Sequence, residues 1–173
     1  EDVDPLPMRP RERWLLMKIR EAKTEDREFV ASCLFAMALE VAERYGSLVS
    51  PDAKTRAWMD ECFDQREVAL IAEEEGRPVG AMCSAPLLAS FGTRFKKMAV
   101  SNGIFVINAY RKSGVSDSLF STMKRVLAER GFEVMLDEHS VRNRGFSALA
   151  ERQGSVPIST VVMVELGGDE CFF

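Results

Sequence analysis

Residues Gly103 to Phe132, GIFVINAYRKSGVSDSLFSTMKRVLAERGF, limit the possible folds more than any other stretch of the chain. They open with an apolar, β-branched run, Ile104 to Ile107, suited to a buried strand. A polar turn follows, Arg111-Lys112-Ser113-Gly114. Beyond it Val115, Leu119, Phe120, Met123, Val126 and Leu127 recur with the spacing of one helix face, which predicts a helix that stops at Gly131. A strand that passes through a basic, glycine-containing turn into a helix directs backbone N–H groups and a positive helix end at one point in space. That point suits a phosphate.

The rest of the chain must supply a frame for this unit. At 173 residues it is long enough for one domain with a real core and short for two. Twenty-three basic side chains against 27 acidic ones leave a formal net charge of −4, which argues against a dedicated nucleic-acid binder. Cys33, Cys62, Cys83 and Cys171 are far apart, and His139 is the single histidine, so no structural metal site is expected. Three of the four cysteines fall within predicted helices or strands, where a reduced thiol packs as a small apolar group, consistent with a cytoplasmic setting. No apolar stretch is long enough to cross a bilayer, and Trp14 to Met17 is too short for a signal-peptide core.

Residues 1–16, rich in proline and charge, read as a flexible tail, with the domain expected over 17–167 and a second tail over 168–173. Lys18 to Ala22 predicts a first strand, and Thr24, Glu25 and Asp26 offer a cap and first-turn acids to a helix. Its apolar face is Val30, Cys33, Leu34, Met37 and Val41, and the pattern ends near Tyr45-Gly46. A second helix is expected through Ala57, Trp58, Glu61 and Cys62, after Pro51. Val68 to Ala72 and Pro78 to Met82 predict a hairpin whose acidic run, Glu73 to Glu75, forms a solvated turn. Ala85 to Thr93 predicts a loop, and Arg94 to Val100 is ambiguous. After the central unit come a strand over Glu133 to His139, a helix over Asn143 to Arg152 broken at Gly154, and a final strand over Ser159 to Leu166.

Two blocks carry a family resemblance. Val106, Tyr110, Arg111, Gly114, Val115 and Leu119 stand in register with the coenzyme A-binding motif of the GNAT superfamily of N-acetyltransferases. That motif is a strand ending in Val-x-Pro-x-Tyr, then Arg/Gln-x-x-Gly-x-Gly/Ala, then an amphipathic helix with an early leucine. Asn108 replaces the proline and Ser116 the glycine or alanine. Asn143, Leu149, Glu151, Arg152 and Gly154 resemble the late block Asn-x-x-Ala-x-x-Leu-Tyr-x-x-x-Gly-Phe. There Phe146 replaces the alanine, Ser155 the phenylalanine, and Ala150 occupies the tyrosine position.

The resemblance implies an α/β fold of the α+β type: one domain with a mixed, largely antiparallel GNAT-like sheet flanked by helices. It also implies an N-acetyltransferase that moves an acetyl group from acetyl-CoA to a primary amine, on a small molecule or a protein, by direct attack. The backbone from Arg111 through Lys112, Ser113, Gly114 and Val115 to Ser116 would cradle the pyrophosphate, with Arg111 and Lys112 adding charge. Val106 would pair with the pantetheine amides, and Asn143 would be a polar contact to the cofactor. Alanine cannot donate a proton, so with Ala150 at the tyrosine position the acid is sought at Asp137, Glu138 and His139. Of these His139 is the preferred catalytic group, because imidazole titrates nearest neutrality. The alternative is a GNAT-like coenzyme A-binding or regulatory domain with little or no turnover. The acceptor is unreadable, an acidic chain favours a cationic one, and a homodimer is left open.

Overall fold

The hairpin between the second and third strands sets the register of the sheet. In the computed structural model, which describes residues 17–45, 52–87, 95–139 and 142–157, Glu75 and Gly76 take φ values of 51° and 76°. Two consecutive left-handed residues make the tight turn whose twist matches that of paired strands. Strand β2 (Val68–Glu74) therefore turns directly into β3 (Arg77–Leu87), with Glu74 opposite Arg77. A two-residue loop leaves no room for a longer acidic turn, which corrects the reading of the glutamate run. Glu73 and Glu74 belong to β2, and Glu74 is only 9% exposed.

Strand β1 (Met17–Glu21) pairs antiparallel with β2 along its whole length, and β3 pairs antiparallel with β4 (Met98–Val106). The last strand, β5 (Val134–Asp137), lies parallel to β4, giving the order β1-β2-β3-β4-β5. β4 is longer than its apolar run predicts. Asn102 and Gly103 interrupt the hydrophobic pattern, but the sheet absorbs them as a bulge: Cys83 faces Gly103, whereas Ser84 faces Ser101. Gly103 has a φ of 140°, and a Cβ there would sit 2.5 Å from the sulfur of Met37. Only glycine lets the first helix lie that close to the strand.

Helix α1 (Arg27–Tyr45) and helix α2 (Ala53–Asp64) cover one face of the sheet. Val30, Leu34, Met59 and Phe63 pack there on Ala69, Ile71, Ala81 and Cys83. The expected start of α1 at Thr24 is a 3-10 turn over Thr24–Asp26, and Asp26 rather than Thr24 fastens it, accepting from the Lys23 N–H at 2.7 Å. Arg20 reinforces this with both Nη atoms on Asp26, at 2.6 and 2.9 Å, and with Nε on Glu73 at 2.7 Å. In α2 the Asp52 carboxylate accepts from the Thr55 N–H, and the buried face is Met59, Cys62 and Phe63, leaving Trp58 half exposed.

Helix α3 (Val115–Glu129) lies on the opposite face and buries Val115, Leu119, Phe120, Met123, Val126 and Leu127, the six positions its spacing predicts. Helix α4 (Arg144–Arg152) adds Leu149 to the same core. Cys33, Cys62 and Cys83 are all buried on the α1/α2 side, and burial pushes their thiols up to about 12, 11 and 12. The predicted strand over Ser159 to Leu166, Cys171, and the tails over 1–16 and 168–173 lie outside the described residues.

Candidate functional site

The site is built where β4 and β5 stop pairing. Their contact spans four residue pairs and ends at Ser101 opposite Asp137. β4 then runs on to Val106 with no β5 residue beside it among the described residues. The strand expected over Glu133 to His139 thus stops at Asp137, short of His139. Beyond β4 the chain makes a 3-10 turn over Asn108–Tyr110 and enters α3 through Arg111 to Gly114. Lys112 and Gly114 both take left-handed φ, 64° and 80°. Gly114 is the helix N-cap, and its carbonyl accepts the first helical bond, from the Ser118 N–H at 3.0 Å. The amides of Val115, Ser116 and Asp117 therefore have no acceptor within the helix.

This turn closes one end of a cleft of about 360 Å³. Met37, Glu40, Val41 and Arg44 of α1 form one wall, and Asn143, Phe146, Leu149 and Arg152 of α4 and its cap form the other. Ile104, Phe105 and Val106 make the floor, and the mouth carries Arg111, Lys112, Ser116 and Asp117. Four cations, Arg44, Arg111, Lys112 and Arg152, face two carboxylates, Glu40 and Asp117. A chain with a formal charge of −4 thus gathers net positive charge at one helix N-terminus, an arrangement that selects polyanions.

Six of the eight residues expected to hold a cofactor line this cleft: Val106, Arg111, Lys112, Gly114, Ser116 and Asn143. Ser113 and Val115 do not. The Ser113 hydroxyl donates to the Tyr110 carbonyl at 2.5 Å, and the Val115 side chain is buried under α3. Asn143 caps α4, its Oδ1 accepting from the Phe146 N–H at 3.1 Å, so its NH₂ group is the part suited to a ligand. Arg111 is engaged already: Nε donates to the Val106 carbonyl at 2.8 Å, and the two Nη atoms donate to Glu40 at 3.0 and 2.6 Å.

His139 is exposed and is not among the residues that line the cleft, though it packs on Phe146, which is. Its Nε2 is 3.1 Å from the Ser147 hydroxyl, and its ring centroid is 4.7 Å from that of Phe146. Asp137 is closer to the parting of the strands. Burial raises its carboxyl above the ordinary range, against the opposing pull of a Ser101 hydrogen bond and of His139. Ala150 is buried and brings no phenol to the site. Sequence reasoning missed Glu40 and Arg44, which read as ordinary polar positions of an amphipathic helix. It also gave no role to Arg152, whose Nε and Nη2 hold Asp117 at 3.2 and 3.1 Å. Among the described residues no group of His, Cys, Asp or Glu side chains could hold a metal ion, and no helix is long and apolar enough to cross a membrane.

The sequence pattern of the acetyltransferase (GNAT) family matches residues 30–154. No curated protein matches. Solved structures do. A possible acetyltransferase from Clostridium difficile 630 is 16% identical with a TM-score of 0.67, over 88% of this chain and 99% of that one. AAC(6')-Iy, solved with the bisubstrate analog CoA-S-monomethyl-acetylneamine, is 18% identical with a TM-score of 0.65, over 88% and 99%. A ribosomal-protein-alanine N-acetyltransferase from Brucella melitensis biovar Abortus 2308 is 16% identical with a TM-score of 0.64, over 87% and 99%. At these identities the likeness is one of fold.

Proposed function

The chain belongs to the acetyltransferase (GNAT) family, and from that premise we propose that its cleft binds acetyl-CoA and that the protein acetylates a primary amine. The observation that carries this reading is the excess of cations gathered where α3 begins behind a left-handed glycine. Backbone amides at Gly114 to Ser116, with Lys112 and Arg152, suit the pyrophosphate and the 3′-phosphate. Ile104 to Val106 and the Asn143 amide suit the pantetheine arm. When bound, acetyl-CoA supplies an activated acyl carbonyl. The protein's part is to hold the acceptor nitrogen in line with it, exclude water and handle one proton.

For that proton we propose His139, held by Ser147 against Phe146 of the cleft wall. His139→Ala should lower turnover about 100-fold while leaving coenzyme A affinity unchanged. Equal turnover in the variant would remove His139 from the mechanism. The acidic chain favours a cationic acceptor, on a small molecule or a protein. That AAC(6')-Iy is an aminoglycoside N-acetyltransferase solved with a bisubstrate analog makes aminoglycosides the first compounds to try.

Two measurements test the reading in sequence. Coenzyme A at a hundred times its dissociation constant should stabilise the fold by about 2.7 kcal/mol, seen as a rise in Tm. An unmoved melting curve would sink the proposal. Acetyl-CoA with a panel of amines, followed by thiol release, then identifies the acceptor. Ala150 favours a second reading, a coenzyme A-binding domain without turnover. A ligand-stabilised protein that releases no thiol with any amine would support that one. The extent of the domain, 17–167, is part of the proposal, and a fragment of those residues should melt and bind as the whole chain does.

A further inference from the structure

Arg111 stands where a phosphate-facing cation is expected, yet three of its five N–H groups, the Nη1/Nη2 fork among them, are already engaged. Two of its nitrogens grip the Glu40 carboxylate, at 3.0 Å to Oε2 and 2.6 Å to Oε1, across 71 residues of sequence. A third donates to the Val106 carbonyl, and the guanidinium carbon lies 5.2 Å from the centre of the Phe105 ring. Arg44, one turn further along α1, approaches the same Glu40 Oε2 at 3.9 Å. Glu40 therefore sits between two of the four cations of the cleft. The Arg111 and Glu40 side chains keep 30% and 31% of their exposure, so water reaches the pair and can replace either partner.

A guanidinium offers a carboxylate the same two-pronged fork that it offers a phosphate. Two anions that fit one fork compete for it. Resting on the reading of the cleft as a coenzyme A site, we propose that Glu40 is a built-in competitor for the cofactor's phosphates, limiting affinity so that coenzyme A can leave after turnover. Substrate and product carry the same phosphates, so a cation wholly committed to them would hold both equally and slow release. A carboxylate that takes the arginine back as the phosphate departs avoids this. The opposite role is also chemically sensible: Glu40 could hold Arg111 in the pose that phosphate needs. The two roles predict effects of opposite sign.

Calorimetric titration of coenzyme A and of adenosine 3′,5′-bisphosphate, a phosphate-bearing probe without the pantetheine arm, separates them. Glu40→Gln should bind both ligands about 5- to 10-fold more tightly than the wild type and release coenzyme A correspondingly more slowly. Its binding should also weaken more steeply with added salt. In an Arg111→Ala background the same substitution should tighten binding by a clearly smaller factor than in the wild type, because the contested fork is gone and only the longer Arg44 contact, at 3.9 Å, remains to be released; an equal gain in both backgrounds would overturn the proposal. Unchanged or weaker binding by Glu40→Gln in a protein whose wild type binds coenzyme A overturns the competitor role alone. A wild type that binds neither ligand overturns the site reading and this inference with it. If Glu40→Gln does not fold, Glu40→Asp carries the test. It keeps the charge but loses the two-pronged reach, and it should tighten binding by a smaller factor, whereas no tightening overturns the proposal.

Discussion

On one flank of the sheet every residue of β1 is paired to β2, and Arg20 bridges Asp26 and Glu73 across the strands. On the other flank β5 meets β4 over four pairs and leaves it, and Arg111 bridges Glu40 and the end of β4. Both arginines hold a carboxylate with two prongs and use Nε on a second acceptor. What differs is the neighbourhood. Arg20 and its acids pack against a continuous ladder, with Asp26 only 12% exposed, whereas the Arg111 pair looks into a cleft. The same bond is a fastener where the strands are closed and an exchangeable contact where they part.

Substitutions that act on one flank should leave the other's readout untouched. The largest expected effect is at Ile71, fully buried in β2 under α1 and α2. Ile71→Ala should cost about 2–5 kcal/mol in a denaturant titration, with unchanged coenzyme A affinity for the molecules that remain folded. A matching loss of affinity would mean that the flanks are not separate. Next is Gly114→Val on the open flank. A φ of 80° favours glycine, and the proposed close approach of this backbone to a phosphate would need it, so coenzyme A affinity should fall by at least about tenfold, or roughly 1.4 kcal/mol. Undiminished affinity in the folded variant would show that the turn serves another purpose.

The smaller effects are a pair with opposite signs. Hydrogen bonds from Arg20 hold the Asp26 carboxyl below its ordinary range, so its stabilisation is full above that range and lost as the pH falls through its folded value. Asp26→Asn should therefore cost about 1–2 kcal/mol at neutral pH, measured by thermal melts across pH, with the gap closing in acid. Asp137 runs the other way. Burial raises its carboxyl, so its contribution is fullest in acid and lost as the pH rises through its raised folded value. Asp137→Asn should melt slightly above the wild type at neutral pH, by about 1 kcal/mol or less, and that advantage should vanish in acid. A destabilised Asp137→Asn would indicate that its charge is matched in the folded protein after all.

The closed parts of the fold were legible because their signals are local. The six buried positions of α3 and the stop near Gly131 follow from spacing and from one residue type. Signals that cross the chain were not legible. Nothing near Arg111 announces that Glu40 will meet it, and nothing near Gly103 announces Met37. The end of β5 was placed too late: Val134 to Leu136 are strand formers, Asp137 and Glu138 are not, and pairing stops where the partner strand bulges away. The turn that holds Gly114, by contrast, could be found from sequence because its left-handed cap is a glycine, whereas the left-handed Lys112 two residues earlier carries no such mark.

The three buried thiols have a use of their own. Cys33, Cys62 and Cys83 all lie between the sheet and the α1/α2 layer, and with thiols raised to about 11 or 12 they hold almost no thiolate at neutral pH. Alkylation at these positions must wait for that layer to lift, so the rate of labelling becomes a clock for its opening. Peptide mapping that separates them from Cys171 would time the motion residue by residue. A ligand seated against Met37 and Val41 of α1 should slow the clock at Cys33, one helical turn away, reporting its grip on the cleft wall without any chemical turnover.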